Sequence, residues 1–266
     1  MNIVSGASLN TNGGTIILAG QGAGTYEVDV QGGISSAGAE IKFMADRLRI
    51  GAPVDAGSGS NARIHALPSS NNLARPLALG QSSDSAAVAL SQAELNFLSA
   101  RVLVVGQSAG TGAITIADNI SLGSVSELSL LAGSAGISAA LVGGPPAPAT
   151  ITVGKLNVDA AGAITLGGAN QVTFLSGVVG NGGLTYNNAK TGGLTVDVAD
   201  NINGITRRAG VTGGSISINS QSGGLTITRP ITSGVGDVTL TSPGGAIQVS
   251  DDVSASGASS NLSMTA

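Results

Sequence analysis

Three pairs of acids stand closest to a catalytic arrangement in this chain: Glu27 with Asp29, Asp197 with Asp200, and Asp251 with Asp252. Two carboxylates on one face, beside a basic side chain or a cation, could exchange protons with a polysaccharide, the chemistry of a glycoside hydrolase or lyase. Glu27 and Asp29 flank Val28, so a strand would point both the same way, outward if Tyr26, Val28 and Val30 fill the core. Asp197 lies in a similar alternation. Asp200 and Asp251-Asp252 fall at turns, where Asp ordinarily caps backbone amides. Outward acids on a strand are ordinarily solvated, and aromatic platforms for sugar rings are scarce, because Phe, Tyr and Trp make up 2% of the chain. The sequence therefore points to no catalytic residue, no cofactor site and no metal ligand set, and to a protein that is not an enzyme.

The other candidates resolve in the same direction. His65 is the one histidine, so a two-His metal site within the chain is excluded, and a Ser-His-Asp relay would have to use it. Between Ile64 and Ala66 it reads as solvent-facing or partly packed. Gly106-Gln107-Ser108-Ala109-Gly110 has the letters of a nucleophile elbow, but a strand phrase, Ile114 to Ile116, follows it where a helix is required. Gly20-Gln21-Gly22-Ala23-Gly24 lacks the spacing of a dinucleotide loop, and Gly234-Val235-Gly236-Asp237 matches one fragment of a calcium-binding repeat without a second copy. All three read as corners. Net charge is −4, and the eleven basic residues are scattered apart from Arg47/Arg49 and Arg207-Arg208. Nucleic acid needs a stripe of cations, so it is not an expected partner. Arg207-Arg208 could meet an anionic glycan, although a solubilising corner is the commoner role.

The elements that must carry these residues are short and repetitive. Glycine occurs 42 times, and a Gly-Gly-β phrase recurs at Gly182, Gly192, Gly213, Gly223 and Gly244, with spacings of 10, 21, 10 and 21. Gly-Gly supplies a tight corner, and the alternation after it, as in Leu225-Thr226-Ile227, suits a half-buried strand. Similar phrases run along nearly the whole chain, from Thr15 to Met264. Asn-Gly hairpin turns are few, and regular spacing favours coils. The expected fold is an all-β parallel β-solenoid over residues 1–266. Its coils of about 20 residues would form about a dozen turns and a rod on the order of 60 Å. The aliphatic filling, with no tryptophan and no cysteine, suits a narrow tube. Stacked Thr, Ser and Asn should form ladders. The interval of 31 residues fits either one large coil or one and a half smaller ones.

Helical periodicity is confined to Leu90–Leu98, where Ser91 and Glu94 predict one capped turn. Pro145-Pro146-Ala147-Pro148 and residues 53–81 are expected to leave the tube as loops able to display specificity or act as spacers. No stretch reaches the roughly 20 apolar residues of a membrane span. No basic start followed by an apolar core opens the chain, which reads as an internal segment.

Arg75-Pro76-Leu77-Ala78-Leu79-Gly80, Ala89-Leu90-Ser91-Gln92-Ala93-Glu94-Leu95, Ser99-Ala100-Arg101-Val102-Leu103-Val104-Val105-Gly106 and Gly112-Ala113-Ile114-Thr115-Ile116 resemble the repeats of filamentous haemagglutinin-like exoproteins, as does 211–266. That resemblance implies a right-handed parallel β-helix from a secreted or cell-surface bacterial adhesin or biofilm scaffold, exported through an outer-membrane partner. The Asn-Pro-Asn-type motifs of that family's secretion domain are missing from this sequence. The expected role is a structural and adhesive shaft segment facing a host-cell or matrix glycan or protein receptor. Two alternatives are a β-helical polysaccharide lyase or hydrolase, and a filament subunit that self-associates end to end through unpaired strand edges.

Overall fold

The computed structural model describes residues 1–20, 26–83, 86–142 and 147–266. Its strands are short, and nearly all pair in parallel with the strand one coil earlier or later. Val28–Val30, Gly33–Ser35 and Ile41–Met44 form one turn of the coil. Leu48–Ile50, Val54–Gly57 and Arg63–Leu67 lie over them with Val28 on Leu48, Ile34 on Val54 and Ile41 on Ile64. The tube therefore has three faces, called one, two and three in chain order, and the expected parallel β-solenoid is the observed architecture. Rungs are numbered from Asn2–Ile3, Ser8–Asn10 and Ile16–Ala19, which form the first.

On face one the column runs Ile114, Ile137, Ile164, Leu184, Ile216, Val238 and Leu262, in steps of 23, 27, 20, 32, 22 and 24 residues. The step of 32 decides the 31-residue interval: it is one coil, lengthened by an inserted hairpin at 198–203 and by the turn before Ile216. Gly-Gly pairs ten residues apart are thus two corners of one rung. From rung four to rung seven, faces two and three merge into long strands bent round their shared corner, including Leu98–Gly106, Val125–Gly133 and Ile151–Ala160.

Alternation fills the interior. Ile41, Ile64, Leu103, Leu128, Leu156 and Leu175 follow one another up the tube, fully buried. Each such side chain contributes about 1.5–3 kcal/mol by leaving water. A polar column stands inside the corner between faces one and two, where Asn170, Asn188, Ser220 and Ser242 stack with no exposure. Asn170 Oδ1 accepts the Ile151 amide at 2.8 Å, and Asn188 Oδ1 accepts that of Val172 at 3.0 Å. These side chains satisfy amides that a corner takes out of the ladder.

Rung four departs from the plan. Leu77–Leu79 pairs on one side with Val88–Leu90, which follows it in sequence, and on the other with Ile114–Ile116. Val88–Leu90 packs next to Leu48–Ile50 of rung three, so the later strand lies lower. Face one therefore holds one strand more than faces two and three at this level. Asp46 anchors the climb toward Leu77, accepting the Ser69 amide at 3.0 Å and Asn72 Nδ2 at 2.7 Å. The helical turn Gln92–Leu95 closes the return with its predicted Ser91–Glu94 capping box. Glu94 Oε1 also accepts the Ile50 amide at 3.1 Å, standing in for a strand partner.

One loop expectation needs correction. Residues 53–81 contribute three strands, Val54–Gly57, Arg63–Leu67 and Leu77–Leu79, because their alternation fits the tube. Between the last two, residues 68–76 carry no strand. Ala147–Pro148 pairs antiparallel with Leu141–Val142, while 143–146 lie outside the described residues. Among the described residues no helix is long and apolar enough to cross a membrane.

Candidate functional site

A group of charges lies on the outer corner of faces two and three. Arg63, Val102, Glu127, Lys155, Phe174 and Thr195 occupy one register column from rung three to rung eight. Beside it run His65, Val104, Ser129, Asn157 and Ser176. All alternate with inward aliphatics and so point outward. Yet Val102, Val104, Ser129, Asn157 and Ser176 are buried.

The hairpin lies against this strip. Its strands, Val198–Ala199 and Ile202–Asn203, turn through Asp200 and Asn201, which hold φ of 47° and 64°. Those angles fit a two-residue type I′ turn, for which Asp and Asn are suited. The hairpin packs on the long strands of rungs six and seven. The Ser176 hydroxyl lies 3.0 Å from the Ala199 carbonyl oxygen and 3.2 Å from Asn157 Oδ1, and Asn157 Nδ2 donates to Ser129 Oγ at 2.9 Å. At the tip, Arg63 donates two hydrogen bonds to the Asp200 carboxylate, at 2.5 and 2.8 Å, across 137 residues of sequence.

Glu127 completes the cluster. Arg101 Nη1 approaches its Oε2 at 3.4 Å, while its Oε1 is buried without a hydrogen-bond partner. Burial, reinforced by the nearby Asp200 charge, pushes the Glu127 carboxyl above its usual range, against the pull of Arg101, Lys155 and Arg63. Burial alone would lower Arg63, but the hydrogen bonds and charge of Asp200 outweigh it and raise its pKa. Perturbed carboxyls of this kind also occur in active sites. Here the group is paired among itself and with the hairpin tip: Arg63 with Asp200, and Arg101 with Glu127.

Most of the other acids considered for catalysis are engaged, while Asp252 is exposed. Glu27 accepts the Asp46 amide at 2.8 Å and lies 3.7 Å from Arg47. Asp29 takes two hydrogen bonds from Arg49, which holds its carboxyl below the usual range. Arg49 also stacks 4.7 Å from the Tyr26 ring centre. Tyr26 is thus not a core residue, contrary to the alternation argument: it precedes Val28–Val30 and turns outward to the guanidinium. Asp197 pairs with Arg229 at 3.4 Å, and Asp251 caps the Asp252 amide at 2.8 Å. Arg208 pairs with Asp159, and Arg207 donates to the Val211 carbonyl. His65 is partly packed, 3.4 Å from Glu40, and burial lowers its pKa, favouring the neutral ring.

Two open hollows mark the flank. One, about 420 Å³, is lined by Asn2, Tyr26, Asp29 and Arg49, and another, about 310 Å³, by Thr15, Glu40, Asn61 and Arg63. Their charged groups are already paired: Asp29 with Arg49, Glu40 with Lys42 at 2.8 Å, and Arg63 with Asp200. The Gly106–Gly110 and Gly234–Asp237 phrases are corners, with Gly106 and Gly234 at positive φ. Residues 21–25 of the Gly20–Gly24 phrase lie outside the described residues. Among the described residues no group of three or more His, Cys, Asp or Glu could hold a metal ion.

Comparison with protein-family models, curated proteins and solved structures finds no match.

Sequence reasoning treated Asp200 as a turn cap and missed its pairing with Arg63. Alternation with Ile64 and Ala66, or with Leu128 and Leu130, marks Arg63 and Glu127 as outward charges. No local signal names a partner 137 residues away.

Proposed function

We propose that this chain is a stiff structural segment of a secreted or cell-surface bacterial adhesin, holding binding elements away from the cell. The observation that carries this reading is the stack of parallel strands on face one from Asn2 to Leu262, in two hydrogen-bonded columns that meet where Val88–Leu90 packs on Leu48–Ile50, around an aliphatic interior. At one strand spacing per step it is about 50 Å long. Shape and stiffness are what such a column supplies. The repeat wording, similar to that of filamentous haemagglutinin-like proteins, supports the extracellular placement and a glycan or protein receptor. The ion pairs and capping bonds of Glu27, Asp29, Asp197, Asp200 and Asp251 favour structural over catalytic work. Incubation with acidic and neutral polysaccharides should yield no new reducing ends or unsaturated products. Turnover abolished by Glu127→Gln or Asp200→Asn would overturn the shaft reading in favour of a lyase or hydrolase.

A further inference from the structure

With the charged groups of both hollows already paired, the feature that stands furthest outside the rest of the fold is the hairpin at 198–203. In a solenoid each rung touches its neighbours, and stability is close to a sum of nearest-neighbour terms. The Arg63–Asp200 contact breaks that rule. Arg63 belongs to rung three, and the hairpin leaves rung eight between Val196 and Ile205. Five ladder steps separate them along the column Arg63, Val102, Glu127, Lys155, Phe174, Thr195, a span of about 24 Å. A short two-stranded ribbon ending in an Asp and met by an extended Arg covers that distance.

We propose that this hairpin is an axial brace, which ties rungs three to eight into one cooperative unit and holds the rod across the level where face one carries an extra strand. The span contains that level. The extra strand Leu77–Leu79 lies between rungs four and five on face one, and the hairpin runs along the opposite corner. An added layer on one side makes that side longer by about one strand spacing, 4.8 Å. The two sides can stay in register only if the rod bends or the rungs tilt. A tie of fixed length on the short side sets how far they do so.

The contact surface is built for fixed seating. The Ser176 hydroxyl lies within hydrogen-bond distance of the Ala199 carbonyl beside the turn and of Asn157 on the strip below, Ala199 is buried, and the Asp200 carboxylate is enclosed with the guanidinium that fixes it. Removing one partner of an enclosed ion pair leaves the other charge without compensation. The tie is therefore strong in both partners' presence and lost when either is replaced. This holds whatever the rod presents.

Hydrogen exchange on the full 266-residue chain, comparing wild type with Asp200→Asn and Arg63→Met, tests the brace. Asn tolerates the positive φ at position 200, so the first variant removes charge and leaves the turn. Protection of the amides in Arg63–Leu67 and Leu98–Gly106 should fall at least about tenfold. Protection in Ile216–Ser220 and Val238–Thr241, beyond the root, should stay within about twofold. Replacing 198–203 by a Gly-Ser link, between ends already joined by the Gly204 amide to the Asp197 carbonyl at 3.1 Å, should give the same pattern. Unchanged protection in rungs three and four, or an equal loss in rungs nine and ten, would overturn the proposal. If a point variant fails to fold, the excised chain decides.

Discussion

Glu127 has a buried carboxylate oxygen without a hydrogen-bond partner, and its behaviour with pH follows from that. Its carboxyl is raised by burial and by Asp200, so the protonated form suits the fold. The stability this contributes is fully present below the unfolded value of about 4.3 and is lost as pH rises through the folded value. Glu127→Gln should therefore gain on wild type between pH 4 and 7. The gain is about 1.4 kcal/mol for each unit by which the folded pKa is displaced. Urea midpoints at a series of pH values measure it, and a gap that does not change with pH would refute it. Asp29 and Glu40 act in the opposite sense: their carboxyls are held down by Arg49 and by Lys42. Their contribution is present above the ordinary carboxylate range and disappears as pH falls through their folded values. His65, lowered by burial, likewise stabilises above about 6.5 and loses that contribution on acidification. Both slopes are common to variant and wild type, so the difference isolates Glu127.

At the scale of the strand and its corner, the two glycines of a Gly-Gly pair do different work. Gly193 has φ of +81°, and a Cβ on it would stand 2.4 Å from the Gly224 carbonyl oxygen, whereas a Cβ on Gly192 would meet nothing within 4 Å. Gly193→Ala should cost more than about 2 kcal/mol, and Gly192→Ala less than about 0.5 kcal/mol. Thermal unfolding of the two variants side by side would show the contrast; equal melting temperatures would contradict it. The repeat phrase announced the corner and the strand after it, because period-two alternation and Gly-Gly are local signals. It also placed the Ser91–Glu94 turn, since a capping box is written in four consecutive residues. Non-local geometry was not legible. Leu77-Ala78-Leu79 is an ordinary strand phrase, and nothing in it says that it pairs with a strand that comes later. The Val198–Asn203 hairpin carries Asp-Asn at its turn, a weaker signal than Asn-Gly, and its landing place depends on Arg63. Alternation with Leu128 and Leu130 could have marked Glu127 as outward, while the Asp200 charge that raises it comes from a hairpin three rungs above, beyond any local pattern.

Across the whole molecule, a column of parallel neighbours makes the interior almost uniform, and the departures from uniformity set the rod's individual properties. The hairpin adds contact between distant rungs, and rung four carries the extra strand. The last of these bears on how the chain can assemble. Parallel rungs invite growth from one end in the order the residues emerge, each new strand settling on the one before. Leu77–Leu79 cannot follow that order, because the platform beneath it, Val88–Leu90, comes later in the chain. A polypeptide delivered amino end first must hold Leu77 aside until Leu90 has arrived and docked beside Ile50. Assembly therefore pauses there for the length of one loop before the upper storeys can be laid.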